Sequence, residues 1–225
     1  MDVEDLGSPT VIQAIERCGY KRVGKNRFKA VWASRDVDHY LFLRLGRSIA
    51  RGPPNVLGIE YGMFNPDVFA FSGNALCTFG GKLYQHDNPS KYTLDNGYMA
   101  FTLLEDHGHW GLSVYLPDAD LLHTSKILES KIREEIVRPC EDITSFSRYY
   151  SVLVSDSAAF RWSQVHGALR AAQAVMAGRK AGIADDQILL QLTPYSKFIA
   201  SGLSRELTSA PLEFVKRCLD FEFAN

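Results

Sequence analysis

The sequence has few cysteines and no pair of them at metal-binding spacing. Its four cysteines, Cys18, Cys77, Cys140 and Cys218, are scattered through a chain of 225 residues. Because no C-x-x-C spacing occurs, a zinc ribbon and a thioredoxin-type redox site are excluded. A chain of this length can bury a sizeable core without disulfides or metal. Scattered thiols in such a chain predict a reducing compartment.

Long apolar runs and an excess of charge are also missing. No run approaches the roughly 18 apolar residues that a membrane-spanning helix needs. The acidic start, Met1 to Asp5, lacks the basic and apolar blocks of a secretory signal. The formal net charge of −1 excludes a whole-molecule field that attracts nucleic acid or an anionic membrane. These features predict a cytoplasmic protein without a membrane partner, and they make nucleic acid an unfavoured partner.

Motifs of catalysis and cofactor binding are absent as well. The sequence contains no G-x-S-x-G nucleophile motif, no Walker A motif and no G-x-G-x-x-G. Gly80-Gly81-Lys82 is the nearest approach to a phosphate-binding loop, but it lacks the upstream glycine and the following serine or threonine. The cysteines have no catalytic signature and are interpreted as small buried hydrophobes. These absences favour a protein that is not an enzyme, and no cofactor is predicted.

The clearest positive signal is a β-hairpin from His39 to Phe64. Two apolar, alternating runs flank the turn-forming segment Arg51 to Asn55, and residues two apart in a strand share a face. One face of the hairpin is apolar and is expected to face a core. Its residues are His39, Leu41, Leu43, Leu45, Leu57, Ile59, Tyr61 and Met63. The other face carries Tyr40, Phe42, Arg44 and Glu60, and it is either covered by a helix or offered to a partner.

The segment before the hairpin predicts one helix and one strand. The helix begins at Ser8, a plausible N-cap, and ends at Gly19. The basic segment from Tyr20 to Asn26 is predicted to be a turn. A strand that contains Phe28 follows it.

The segment after the hairpin begins with a weak pattern and then returns to alternation. Val68 to Asn96 is predicted to be an irregular excursion with room for one short helix. Tyr98 to Leu104 and Trp110 to Leu116 are predicted strands, and Tyr115 lies on the second one. Together with the hairpin and the strand that contains Phe28, they predict an antiparallel β-meander of about five strands.

The remainder of the chain is predicted to be helical. Apolar residues recur at helical spacing from Leu121 to Pro139. The longest predicted helix begins at Asp156 or Ser157 and runs to about Lys180 along an apolar seam that starts at Trp162. Its polar residues, among them Arg161, Gln164, Arg170 and Gln173, fall off that seam. Because strands come first and helices later, the sequence predicts an α+β fold. It predicts a single domain, 1–225, with a helix and sheet in 1–117 and a helical layer in 118–225.

The order of elements at the start of the chain is distinctive. An amphipathic helix ends in Gly19-Tyr20-Lys21-Arg22, Asn26-Arg27-Phe28 opens a strand, and an alternating hairpin follows. This order, mainly over residues 8–65, resembles the bacterial domain-of-unknown-function family 4304. The strand from Trp110 and the helix from Leu121 follow in the expected order. The resemblance implies an α+β fold of cytoplasmic bacterial type, and it supplies no activity and no catalytic residues.

The sharpest candidate for chemistry is the segment Glu105-Asp106-His107-Gly108-His109. His107 and His109 lie two apart, so on a strand they share a face, and neutral imidazoles are good metal ligands. Glu105, Asp106, His86 or Asp87 could complete the ligand set of a metal-dependent hydrolase. The alternative is a solvated hairpin loop, because the segment lies between two predicted strands.

One basic cluster precedes the hairpin. Its residues are Lys21, Arg22, Lys25, Arg27 and Lys29. Interleaved bases and aromatics can bind nucleic acid. The alternative is an edge strand guarded by lysine against pairing with another sheet, and the slightly negative net charge favours this alternative.

The sequence therefore favours a module that binds another protein. The residues expected to contact the partner are Tyr40, Phe42, Arg44, Glu60 and Tyr115. Aromatic residues and arginine are enriched at the centres of protein interfaces. Neutralisation of a toxin is one concrete version of this role, by analogy alone. In that version Glu60, Glu105 and Asp106 are expected to meet a basic surface of the toxin.

Overall fold

A computed structural model describes residues 9–32, 34–46, 56–91, 101–102, 114–115, 121–157, 160–162 and 165–222. They fall into two compact units. Unit 1 comprises the described residues of Met1–Ala33, Asp38–Met63 and Phe101–Asp142. Unit 2 comprises those of Ser34–Val37, Phe64–Ala100 and Ile143–Asn225. The prediction of one domain that spans 1–225 stays a prediction.

Unit 1 is a sheet with helices. Its strands are β1 (Tyr20–Arg22), β2 (Arg27–Ala30), β3 (Asp38–Gly46), β4 (Val56–Phe64), β5 (Phe101–Thr102) and β6 (Val114–Tyr115). Its helices are α1 (Pro9–Arg17), α3 (Leu121–Ile132), a π-helical turn (Arg133–Val137) and α4 (Arg138–Cys140). The Leu121 helix therefore reaches Cys140, close to the predicted end at Pro139.

The strands follow the order β1-β2-β3-β4-β5, and β6 pairs with β4. The strand pairings among the described residues are antiparallel, with Phe28 opposite Leu41 and Tyr61 opposite Phe101. The predicted α+β class with an antiparallel sheet is confirmed. Among the described residues, the sheet has four strands of three or more residues and two strands of two residues, where about five strands were predicted.

The edge strand β1 corrects the sequence interpretation. Tyr20–Arg22 was predicted to be part of a turn, but it pairs with β2, with Tyr20 opposite Ala30. The turn is shorter, because the backbone N–H groups of Val23 and Gly24 both donate to the carbonyl of Arg27. Two donors on one acceptor close a tight, bulged connection and leave residues for a strand on either side.

One face of the sheet is buried in the core of unit 1. The buried strand residues on this face are Tyr20, Phe28, His39, Leu41, Leu43, Ile59, Tyr61 and Met63. The predicted apolar face of the hairpin is therefore confirmed at its described positions. Burial, followed by the neighbouring thiols of Cys140 and Cys18, raises the pKa of Tyr20. Tyr20 thus joins the sheet to the ends of α1 and α4.

An ionic cluster joins α1 to α3. Glu129 accepts from Arg17 at 2.7 Å and from Arg133 at 3.1 Å. Arg133 also donates to the backbone carbonyl of Arg17, which is at the end of α1. The hydrogen bond from Arg17 holds the pKa of Glu129 below its usual range. Because these groups are partly exposed, they orient the two helices more than they stabilise them.

Unit 2 is helical in its described part. Its helices are α2 (Pro66–Phe79), α5 (Phe146–Leu153), α6 (Gly167–Lys180), α7 (Asp185–Leu192), α8 (Ser196–Ser201) and α9 (Pro211–Asp220), with short 3-10 turns at Pro89–Lys91 and Thr193–Tyr195. The helical C-terminal half is therefore confirmed. The central helix is α6, which packs against α2, α5, α7, α8 and α9.

Helix α2 overturns the prediction of an irregular excursion from Val68. Asn65 is its N-cap, since the Asn65 side chain accepts from the N–H groups of Asp67 and Val68, each at 3.1 Å, and Pro66 occupies the first turn. The helix is apolar on most sides, so it shows no amphipathic stripe in the sequence. Gly73 is required where the Pro89 carbonyl approaches, because a Cβ there would lie 2.6 Å from that oxygen.

Helix α6 begins later than predicted. Its N-cap is His166, and its first residue is Gly167 rather than a residue near Asp156. The Asp156 side chain instead accepts from the N–H of Trp162 at 2.8 Å, outside any long helix. A Cβ on Gly167 would lie 2.1 Å from the Phe198 carbonyl, so α8 crosses α6 at this glycine.

Arg170 is the most unusual residue of unit 2. Its side chain has 0% exposure, although the sequence places it off the apolar seam. Its guanidinium donates to four backbone carbonyls, those of Val152, Leu153, Ser155 and Phe160, at 2.8 to 3.0 Å. It also lies 4.4 Å above the ring of Trp162. Hydrogen bonds and an aromatic face replace the water that a buried cation loses.

His166 forms a buried hydrogen-bonded chain at the start of α6. Its Nδ1 accepts from the N–H of Leu169 at 3.3 Å, so the hydrogen of the neutral ring is on Nε2. That nitrogen lies 3.2 Å from the hydroxyl of Tyr84, which donates to the Gly202 carbonyl at 2.9 Å. Burial lowers the pKa of His166.

None of the helices in the described ranges is long and apolar enough to cross a bilayer.

We expect Arg170→Met to lower the free energy of unfolding by about 3–5 kcal/mol, because it leaves buried carbonyls without their donor. Urea denaturation followed by circular dichroism measures the change. The matched control is Arg161→Met, since Arg161 is exposed and its replacement should change stability by about 0.5 kcal/mol or less. A loss below about 1 kcal/mol for Arg170→Met would contradict the assigned role.

We expect protonation of His166 to destabilise unit 2. Burial lowers the folded pKa below the unfolded value of about 6.5. The unfolded chain therefore binds more protons in this window, and the free energy of unfolding falls as the pH falls through it. Urea denaturation at about pH 7.5 and about pH 5.5 compares the wild type with His166→Asn, which keeps a capping side chain that does not titrate. Equal pH dependence of the two proteins would refute this role.

Candidate functional site

Alternation along three neighbouring strands brings basic and aromatic side chains to one face of the sheet. Lys21 lies opposite Lys29, and Lys29 lies opposite Tyr40. Directly opposed residues of an antiparallel pair project from the same face, so these three share a face. Arg27 and Phe42 oppose each other on that face as well.

Two further residues extend this face. The N–H of Val23 donates to the carbonyl of Arg27, which continues the β1–β2 ladder and places Val23 beside Arg27. Glu60 alternates with the buried residues Ile59 and Tyr61 of β4, so it projects away from the core. We define the outer face as Lys21, Val23, Arg27, Lys29, Tyr40, Phe42 and Glu60.

Tyr40 is the centre of the outer face. The guanidinium of Arg27 lies 5.9 Å from the centroid of its ring, and the ammonium of Lys29 lies 5.8 Å from it. Both distances are within the range of a cation–π interaction. Lys29 also forms an ion pair with Asp38 at 2.8 Å, and this hydrogen bond raises the pKa of Lys29. Lys29 therefore stays charged, with its side chain ordered from two directions.

The predicted basic cluster divides into two groups. One group belongs to the outer face and consists of Lys21, Arg27 and Lys29. Arg22 lies opposite Phe28, so it is on the other face of the sheet. The guanidinium of Arg22 donates to the carbonyls of Gly24 and Lys25 at 3.0 and 2.6 Å. Arg22 thus stabilises the β1–β2 turn, and Lys25 is exposed at its tip.

The predicted partner-binding residues differ in exposure. Tyr40 and Glu60 are half-buried, and Phe42 is only 8% exposed. Phe42 is therefore packed like a core residue, although it projects from the outer face. Arg44 and Tyr115 lie in β3 and β6, with Tyr115 opposite Val56, but their side chains lie outside the described part of the structure.

The candidate metal segment is not described. Glu105, Asp106, His107 and His109 all lie outside the described residues, so the metal-dependent hydrolase stays a prediction. Within the described ranges, no group of three or more His, Cys, Asp or Glu side chains is arranged to hold a metal ion.

The Gly80-Gly81 pair ends a helix and does not begin one. Gly80 is the C-cap of α2, and its N–H donates to the carbonyl of Leu76. Phosphate loops place their glycines at a helix N-terminus, where N–H groups point outwards. Gly81 has φ +92°, and a Cβ there would lie 1.8 Å from the hydroxyl oxygen of Ser204. The pair is needed for this close turn, which agrees with the rejection of a phosphate site.

Sequence reasoning missed the exposed aliphatic residues beside the cations. Val23 is 45% exposed and Val31, directly after β2, is 64% exposed. Val23 lies two residues after Lys21, and Val31 lies two residues after Lys29, so the valines are on the same face as the lysines. The N–H of Val31 donates to the carbonyl of Gly19, which extends the β1–β2 ladder. The period of two among residues 21, 23, 27, 29 and 31 would have indicated that they share a sheet face. It was overlooked because Tyr20–Asn26 was interpreted as a turn.

We expect Phe42→Ala to lower the free energy of unfolding by about 3–5 kcal/mol, because it removes a buried ring. Tyr40→Ala should lower it by roughly 1 kcal/mol, since its ring is half-exposed. Phe42→Leu, which conserves most of the volume, should lower it by less than about 1.5 kcal/mol. Urea denaturation measures all three, and equal losses for the Phe42 and Tyr40 alanine variants would contradict the different burial of the two rings.

The chain has no significant match among protein-family models. Neither the curated proteins nor the solved structures contain a significant match. The resemblance to family 4304 therefore stays a prediction, and function is argued from the residues alone.

Proposed function

We propose that the chain is a non-enzymatic bacterial protein of the cytoplasm that binds another protein through the outer face. The observation that carries this proposal is the Tyr40 ring with the cations of Arg27 and Lys29 at 5.9 and 5.8 Å from its centroid, and with exposed valine next to them. A protein interface combines an aromatic or arginine centre with apolar contacts and a charged rim. The outer face offers each of these on a rigid strand framework.

The contacts that hold the side chains of Arg27 and Lys29 favour a role in binding over a role as solvated surface charges. Lys29 contacts Asp38 and Tyr40, and Arg27 contacts the same ring. Side chains already held in one arrangement lose less conformational entropy on association. A lysine that only guards a sheet edge needs no such partners.

The cysteines support the cytoplasmic location. None of the four described cysteines forms a disulfide, and three of them, Cys18, Cys140 and Cys218, are buried. Free thiols persist in a reducing compartment. Neutralisation of a toxin remains one concrete version of the proposed function, and it rests on analogy.

Site-specific photocrosslinking tests the proposal. We expect p-benzoyl-L-phenylalanine in place of Val23 to form an adduct with a defined protein in host cells, because Val23 belongs to the outer face and is exposed. The same replacement at Leu190, which is 71% exposed in unit 2, provides the control position. Mass spectrometry identifies the adduct, and Tyr40→Ala should reduce its yield about tenfold or more.

Two results would overturn the proposal. The first is the absence of any protein adduct at Val23. The second is the same set of adducts at Val23 and Leu190, since that pattern reports collisions and not a binding face. Circular dichroism of the Tyr40→Ala variant verifies that it is folded.

A further inference from the structure

We infer that the outer face recognises an acidic segment of its protein partner. This inference rests on the proposed function and names the chemistry of the partner. It reverses the expectation from the sequence, in which acidic residues of this chain meet a basic toxin. The reason is the charge that the structure gathers around Tyr40.

The outer face and its adjoining turn carry more cations than carboxylates. Lys21 and Lys25 are exposed, and Arg27 and Lys29 stand over Tyr40. The carboxylates described beside them are Asp38, in an ion pair with Lys29, and Glu60. Four cations near one edge attract carboxylates of a partner and accelerate association.

The same carboxylates argue against nucleic acid. A phosphate backbone binds where cations form a track without interruption, whereas Asp38 and Glu60 would repel phosphates at two points of this face. Binding of single strands also needs aromatic faces on which bases stack. Here Arg27 and Lys29 lie over Tyr40, and Phe42 is buried.

The exposed valines specify the segment further. Val23 and Val31 lie at the two ends of the β1–β2 pair, on either side of the lysines. They offer apolar contact that a polyphosphate cannot use and that aliphatic side chains of a peptide can. The fitting partner segment therefore alternates carboxylates with aliphatic residues.

Fluorescence anisotropy with defined polymers tests this inference on the full chain. The probes are a labelled Glu-Leu copolymer, a labelled Lys-Leu copolymer and labelled oligouridylate. We expect the Glu-Leu copolymer to bind most tightly, and its affinity should fall as NaCl rises from about 0.05 M to about 0.5 M, because the attraction is screened. Lys21→Glu with Lys25→Glu should weaken that binding about tenfold or more.

The control is the double variant Lys197→Glu with Lys216→Glu, which reverses two exposed lysines of unit 2 and should leave the affinity unchanged. Equal or tighter binding of oligouridylate would overturn the inference, and so would equal or tighter binding of the Lys-Leu copolymer. Failure here is distinct from failure of the proposed function. A Val23 adduct with a basic protein would keep the binding function and refute the acidic partner.

Discussion

Unit 2 depends on one buried cation. The guanidinium of Arg170 is always charged, so α6 can occupy its central position only if acceptors surround that group. The carbonyls of Val152 and Leu153 provide them at the end of α5, where the helix dipole is negative. Trp162 covers the cation and stacks on Tyr195 at 4.6 Å. One side chain therefore sets the position of α5, the segment that precedes α6, and the turn before α8.

Unit 1 depends on alternation, which sorts its side chains between the two faces of the sheet. Core residues such as Phe28 and Leu41 hold one face, and the same period of two delivers Lys29 and Tyr40 to the other. The composition of the outer face is thus a by-product of strand geometry, and a slip of one residue in register would bury the lysines and expose the core. Selection for a buried face and selection for a basic face are satisfied by the same register.

The sequence predicts those features that local periodicity controls, and it misses those that distant partners control. The buried face of the hairpin, which includes Leu41 and Ile59, was predicted correctly because a period of two is a local signal. The burial of Arg170 could not be predicted, since its acceptors are 10 to 18 residues away. Helix α2 was missed because Asn65-Pro66 both ends a strand and caps a helix. The candidate face was found in two halves, as an aromatic set and a basic set, and the pairing of β2 with β3 unites them.

The division of the chain has a consequence for biosynthesis. Each unit is assembled from three separate segments, so the polypeptide alternates between them. On the ribosome, the N-terminal strands emerge well before α3, which contributes to the core of unit 1, has been translated. Early strands with exposed edges can pair with neighbouring nascent chains. Lys21 and Arg22 of β1 would repel the same residues on another copy, which keeps an incomplete sheet from joining its neighbours while translation continues.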